Sequence, residues 1–136
     1  MEVKKLLIYT DGGARGNPGP AALGVVIYDE SGKIVKRFGK FLGEKTNNEA
    51  EYEAVIAALS EAQGLGTASV ELNLDSELVA RQLSNIYRAR DKRMQEFVLK
   101  IRNLETKFEK VSYHHVPRGK NRLADKLVNE AIDQNV

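Results

Sequence analysis

The spacing of apolar residues changes character partway along the chain. In the first third, "VKKLLIYTD", "ALGVVIYDE" and "IVKRFGKFLG" are rich in β-branched and aromatic residues and are bounded by turn formers, "GGARGNPGP" and "ESGK". Such runs predict three consecutive antiparallel strands. From Thr46 the period lengthens. "NNEAEYEAVIAALSEAQ" has helical spacing, with Thr and Asn at its start and Gly64 at its end. "SVELNLD" alternates Val70, Leu72 and Leu74 with polar neighbours and predicts a strand, after which "SELVARQLSN" returns to helix. Phe97, Leu99, Ile101 and Leu104 mark a further helix over about Arg93 to Phe108. "VSYHHV" is then a short strand broken by Pro117 and Gly119, and "NRLADKLVNEAI" is a closing helix with apolar residues at 123, 124, 127, 128 and 131.

The order β-β-β-α-β-α-α-β-α predicts an α/β fold with a mixed sheet, three antiparallel strands followed by parallel ones, and helices on its faces. Strand-helix-strand crossovers are what make neighbours parallel. No linker or repeat interrupts the pattern, and 136 residues suit one domain, 1–136, with its own core.

Composition narrows the chemistry. With no cysteine, disulfides, thiolate catalysis and cysteine-ligated zinc or iron–sulfur centres are excluded. No apolar run approaches the roughly 20 residues of a membrane span, so we expect a cytoplasmic protein with no membrane partner. Lys plus Arg number 21 against 19 acidic residues, a balance too even to signal nucleic-acid binding by itself. Two local clusters carry more weight: Arg88, Arg90, Lys92 and Arg93, then Arg118, Lys120, Arg122 and Lys126. Each also reads as a solvated helix end or loop.

Four acidic residues stand out. Asp11 follows Leu7 and Tyr9 on one face of the first strand, where a charge needs a partner or a turn to open. The loop behind it is neither a dinucleotide fingerprint nor a P-loop, and its glycines suggest close backbone approach to a ligand. Glu51 falls on the same helical face as Val55, Ala58, Leu59 and Ala62, whereas Glu49 and Glu53 fall opposite. Burying a charge there implies a metal or a cationic partner. Asp75 ends a strand and precedes a helix, which suits either an N-cap or, with Asp11, a ligand site at strand ends. Asp125 lies at the margin of the last helix's apolar stripe, and periodicity does not choose it over a surface role.

With these residues in hand, the chain resembles a type 1 ribonuclease H. The matching stretches are "YTDGGARGNPGPAALGVVI", "TNNEAEYEAVIAAL", "LNLDSELV" and "HHVPRGKNRLADKLVNEA", in that order over nearly the whole chain. The resemblance implies a five-stranded mixed sheet flanked by helices, and endonucleolytic hydrolysis of the RNA strand of RNA–DNA hybrids, leaving 5′-phosphate and 3′-hydroxyl ends. It places the family's metal-binding carboxylates on Asp11, Glu51, Asp75 and Asp125, choosing Asp125 over Asp133. Hard oxygen ligands suit Mg²⁺, with Mn²⁺ as substitute, and two such ions can serve an in-line displacement. The segment touching DNA phosphate and the minor groove matches Thr46, Asn47 and Asn48. The loop contacting RNA matches Gly12, Gly13, Arg15, Gly16 and Asn17.

The chain also departs from the family's pattern. Where many members carry a mobile histidine before the last helix, this chain offers Arg118 in the loop and His115 on the preceding strand, with Arg118 the preferred candidate. The "YRARDKRMQEF" connection is too short for the basic protrusion of many members, and without tryptophan the aromatic groove for DNA is either missing or reduced to Tyr87. We expect a monomer. Double-stranded RNA is an alternative substrate, since its minor groove also presents 2′-hydroxyls, and a hybrid-binding module that does not cut is the alternative outside catalysis.

Overall fold

A computed structural model describes residues 5–85 and 91–136. The first third forms β1 (Lys5–Ala14), β2 (Gly19–Tyr28) and β3 (Ile34–Lys45), each antiparallel to the one before. Then come α1 (Asn47–Gly64), β4 (Ser69–Leu74), α2 (Glu77–Leu83), α3 (Lys92–Glu105), β5 (Lys110–His115), a single 3₁₀ turn over Arg118–Lys120, and α4 (Arg122–Asp133). Both crossovers return the chain parallel, β4 against β1 and β5 against β4, so the five-stranded sheet has the order β3-β2-β1-β4-β5. The expected class and element order are found. The strand β1 is the hinge of this topology, antiparallel on one side and parallel on the other.

Alternation along β2 shows how the sheet is covered. Leu23, Val25 and Ile27 join the main core with Leu6 and Ile8 of β1 and with Tyr52, Val55 and Leu59 of α1. Val79 and Leu83 of α2 and Phe97 and Ile101 of α3 complete that layer. Ala22, pointing to the other face, packs with Val128, Ala131 and Ile132 of α4. The helix α4 lies close against β2 because Gly24 leaves room: a Cβ there would sit 2.3 Å from the Ala124 carbonyl oxygen. Among the described residues no helix is long and apolar enough to cross a membrane.

The element boundaries differ from expectation at the glycine-rich stretch. Gly12 and Gly13 are not loop but the continuation of β1, paired with Leu23 and Ala22 of β2. The turn is confined to residues 15–18 and closed by the Arg15 N–H donating to the Pro20 carbonyl at 2.9 Å. Glycines carry no side chain with which to show period-two alternation, so a strand through them has no sequence signature.

Candidate active site

Placement begins with Gly12. A Cβ at that position would lie 2.2 Å from both the carbonyl carbon and oxygen of Ala50 and 2.5 Å from the Glu51 nitrogen. Only glycine lets α1 come that close to β1. The glycine admits the protein's own helix, a correction to the expectation that it makes room for ligand. With the helix seated, Glu51 Oε1 accepts a hydrogen bond from the Gly12 N–H at 3.1 Å, and the residue is 6% exposed. Its other oxygen, Oε2, is buried and meets no N–H or hydroxyl donor, leaving only a proton shared with the Asp11 carboxyl to satisfy it. The start of α1 is secured by a capping box: Thr46 Oγ1 accepts from the Glu49 N–H, and Glu49 Oε1 accepts from the Thr46 N–H. Glu49 and Glu51 thus divide the work, one holding the helix end and the other entering the core edge.

Asp11, still within β1, and Asp75, just after β4, reach the same point from immediately beyond Thr10 and Leu74, where the parallel pairing of the two strands ends. Asp75 does not cap α2, since Ser76 does, its hydroxyl accepting from the Val79 N–H at 3.3 Å. One oxygen from each of Asp11, Glu51 and Asp75 lies within 4.8 Å of the others. Asp125, on the first turn of α4, falls outside this triplet but lines the same cleft, as does Arg118. His115 is exposed at the end of β5 and does not line it.

Three carboxylates brought together at a core edge repel one another. Burial pushes the Asp11 carboxyl up to about 7, Asp75 and Asp125 add to the rise, and a hydrogen bond with Glu51 opposes it. Glu51 is driven well above the ordinary carboxylate range, first by burial and then by the charge of Asp11. The pair therefore retains a proton near neutrality unless a cation compensates it. Hard carboxylate oxygens converging on one point, one of them buried and met by no N–H or hydroxyl donor, form a donor set that fits Mg²⁺ or Mn²⁺.

Beside the carboxylates, the cleft of about 400 Å³ continues along Gly12, Gly13, Arg15, Asn47 and Asn48. Two asparagines stitch its wall. Asn17 Oδ1 accepts from the Asn47 N–H and Asn47 Oδ1 accepts from the Ala14 N–H, both at 2.9 Å. With both carbonyl ends committed to backbone, each side chain has its amide donors left for other partners. Gly16 sits in the turn with φ of 95°. Arg15 is held by Asp133 at 2.6 Å and reaches Asn129 on the same helix.

Of the first basic cluster, Arg88 and Arg90, with Tyr87, lie outside the described residues. Arg93 is not a free cation: it pairs with Glu49 at 2.8 Å and lies over the Phe97 ring. It borders a neighbouring hollow lined by Asn17, Thr46, Asn47, Asn48 and Tyr52. Residues missed in the sequence are Ser76 and Asn129 in the cleft wall and Asn121, whose side chain is tied to Asp75. Asn121 had a visible signal, a capping residue before an apolar stripe, but that signal points to a helix cap.

A family model described as "Reverse transcriptase-like" matches residues 9–131. Ribonuclease HI of Halobacterium salinarum is 46% identical over 125 residues, 92% of this chain, which spans 63% of that protein's length. The crystal structure of RNase H1 from the same archaeon superposes with a TM-score of 0.93 at 44% identity, covering 96% of this chain and 98% of that one. LC11-RNase H1, solved in complex with an RNA/DNA hybrid, gives 0.91 at 46% identity, covering 95% and 97%. Fold and similarity over nearly the whole chain converge, and the chain belongs to the type 1 ribonuclease H family.

Proposed function

We propose that this chain is a metal-dependent endoribonuclease that hydrolyses the RNA strand of RNA–DNA hybrids. The observation that carries the proposal is the convergence of Asp11, Glu51 and Asp75 within 4.8 Å, at the end of a cleft walled by amide donors. The hybrid bound by LC11-RNase H1 supports the choice of substrate. Asp11 is the carboxylate influenced by all three others, and so is the natural shared ligand. Glu51 and Asp75 would complete one side and Asp125 the other, for two Mg²⁺ ions or Mn²⁺ in their place. Such ions, when bound, supply an activated water and stabilise the departing 3′-oxygen, giving 5′-phosphate and 3′-hydroxyl ends.

The remaining work falls to the chain's own groups. Arg118 brings a positive charge into the cleft, where it can steady the reacting phosphate. Asn17, Asn47 and Asn48, with the backbone of the turn at residues 16–17, offer donors to phosphates and 2′-hydroxyls without reading sequence, the N–H groups of Gly12, Ala14 and Arg15 being already bonded within the protein. Thr46 holds that wall by capping α1.

The test is cleavage of an end-labelled hybrid in Mg²⁺, beside double-stranded RNA, single-stranded RNA and an Asp11→Asn control. Hybrid cutting that disappears in the control is expected. Intact hybrid binding with no cutting in Mg²⁺ or Mn²⁺ would make the chain a binding module, and equal cutting of double-stranded RNA would widen the substrate to A-form duplexes.

A further inference from the structure

Asn121 breaks a local rule. It stands at the N-cap of α4, where an asparagine ordinarily turns its side-chain oxygen onto the first-turn N–H groups, yet it makes no such bond. Its amide nitrogen instead donates to the Thr10 carbonyl at 2.8 Å and to Asp75 Oδ2 at 3.3 Å. The residue is 1% exposed, and its Oδ1 is buried without a partner. A helix start left uncapped and a carbonyl left unsatisfied are both unfavourable, and such local conflicts concentrate where function demands them.

The two acceptors explain what the arrangement achieves. The Thr10 carbonyl belongs to the residue just before Asp11, and Asp75 is the carboxylate whose own strand has already ended at Leu74. No other side-chain hydrogen bond to Asp75 is found among the described residues. The backbone of Asn121 also closes the 3₁₀ turn, its N–H donating to the Arg118 carbonyl at 2.9 Å, while its carbonyl accepts from the Asp125 N–H at 3.1 Å. One buried residue is therefore bonded to the strand of Asp11, to Asp75, to the turn of Arg118 and to the helix of Asp125.

We propose that Asn121 is a positioning residue: its amide fixes the carboxylate of Asp75 for metal and locks the Arg118 turn and α4 to β1. This rests on the metal-dependent reading above. Groups that orient metal ligands typically change metal affinity or turnover by about 10- to 100-fold when removed.

The discriminating variant is Asn121→Ser. Serine is as good an N-cap as asparagine, so it can take up capping of α4, but its hydroxyl is too short to span both acceptors. Mn²⁺ binding followed by electron paramagnetic resonance should weaken about 10-fold or more. In hybrid cleavage kcat should fall with KM little changed, while the thermal midpoint in EDTA stays close to the parent's, the gained cap offsetting the lost bond to the Thr10 carbonyl. In an Asp75→Asn background the same change should weaken Mn²⁺ binding no further, as expected for residues acting through one contact. Asn121→Ala serves as a second variant, with the same loss of Mn²⁺ affinity.

Unchanged Mn²⁺ affinity and kcat in Asn121→Ser would overturn the inference while leaving the proposed activity standing. So would losses that simply track a lowered thermal midpoint. A parent chain that binds no Mn²⁺ would remove the metal site itself, and this inference with it.

Discussion

Helices α1 and α4 both begin beside the carboxylate cleft, but they begin differently. The first turn of α1 is closed by Thr46 and Glu49 on each other's backbone, and Glu51 projects from a helix already stable at its end. The first turn of α4 has no side-chain cap, because Asn121 is turned toward Thr10 and Asp75. In α1, stability and placement come from different residues and do not compete. In α4 a single residue would have to serve both, and placement prevails. The difference teaches where substitutions should separate folding from function and where they should not.

The largest effect is expected where α1 meets β1. Gly12→Ala drives a methyl group into the backbone of Ala50 and Glu51, which cannot rotate away as a side chain could. We expect a loss of about 3 kcal/mol or more in urea unfolding, with hybrid cleavage abolished as Glu51 is displaced. A parent-like midpoint would show that α1 does not approach so closely, and would remove the explanation for Glu51's position.

Next comes the proton that burial, with Asp75 and Asp125 nearby, holds on Asp11. With its pKa raised from 3.8 to about 7, Asp11 keeps its proton in the folded state over a range where the unfolded chain has released it. The folded state then binds more protons, so stability falls as pH rises from about 4 to about 7 and levels off above. In EDTA, Asp11→Asn should flatten that decline and stabilise the protein above pH 7, by about 2–4 kcal/mol. Added Mn²⁺ should stabilise the parent at pH 8 but not the variant. Because Asp29 and Glu49, held below the ordinary carboxylate range, act with the opposite sign, the readout is the difference between the two proteins, and equal slopes in parent and Asp11→Asn would mean that Asp11 is not buried against the other carboxylates.

The caps give a direct contrast. Thr46→Ala should cost about 1 kcal/mol, read from urea midpoints, whereas Asn121→Ser, which gains a cap as it loses the bond to the Thr10 carbonyl, should cost less. Equal losses at both positions would erase the distinction between the two helix starts.

These contrasts also mark what was legible in the sequence. Glu51 could be found from helical periodicity, because a carboxylate among Val55, Ala58 and Leu59 breaks an otherwise apolar face, and all of these are buried. The mixed topology followed from three strand-like runs preceding alternating helices and strands. Asp75 and Ser76 could not be told apart as caps, since both residue types accept from helix N–H groups and only the chain's path decides which one does. Asp125 needed the family resemblance, because the margin of a helical stripe is where periodicity discriminates least. Asn121 showed only as a cap, and its contacts were invisible for a deeper reason: its acceptors are residues 10 and 75, and no local pattern reports a contact across 111 positions.

The smallest effect on stability, and the one that best separates the cleft's rim from its floor, concerns Arg15. It ties the turn after β1 to α4 through Asp133, a pair 43% and 64% exposed on its side chains. Exposed pairs contribute about 0–1 kcal/mol, so Arg15→Ala should leave the urea midpoint close to the parent's. If Arg15 leaves Asp133 to meet a phosphate, the same variant should raise KM for hybrid and reduce the steepness with which affinity falls as salt increases, by about one charge's worth. Asp133→Asn should act oppositely, releasing Arg15 and lowering KM at low salt. An Arg15→Ala variant with unchanged KM and salt dependence, but a lowered midpoint, would make this arginine a brace between β1 and α4. The substrate wall would then rest on the asparagines and the backbone alone.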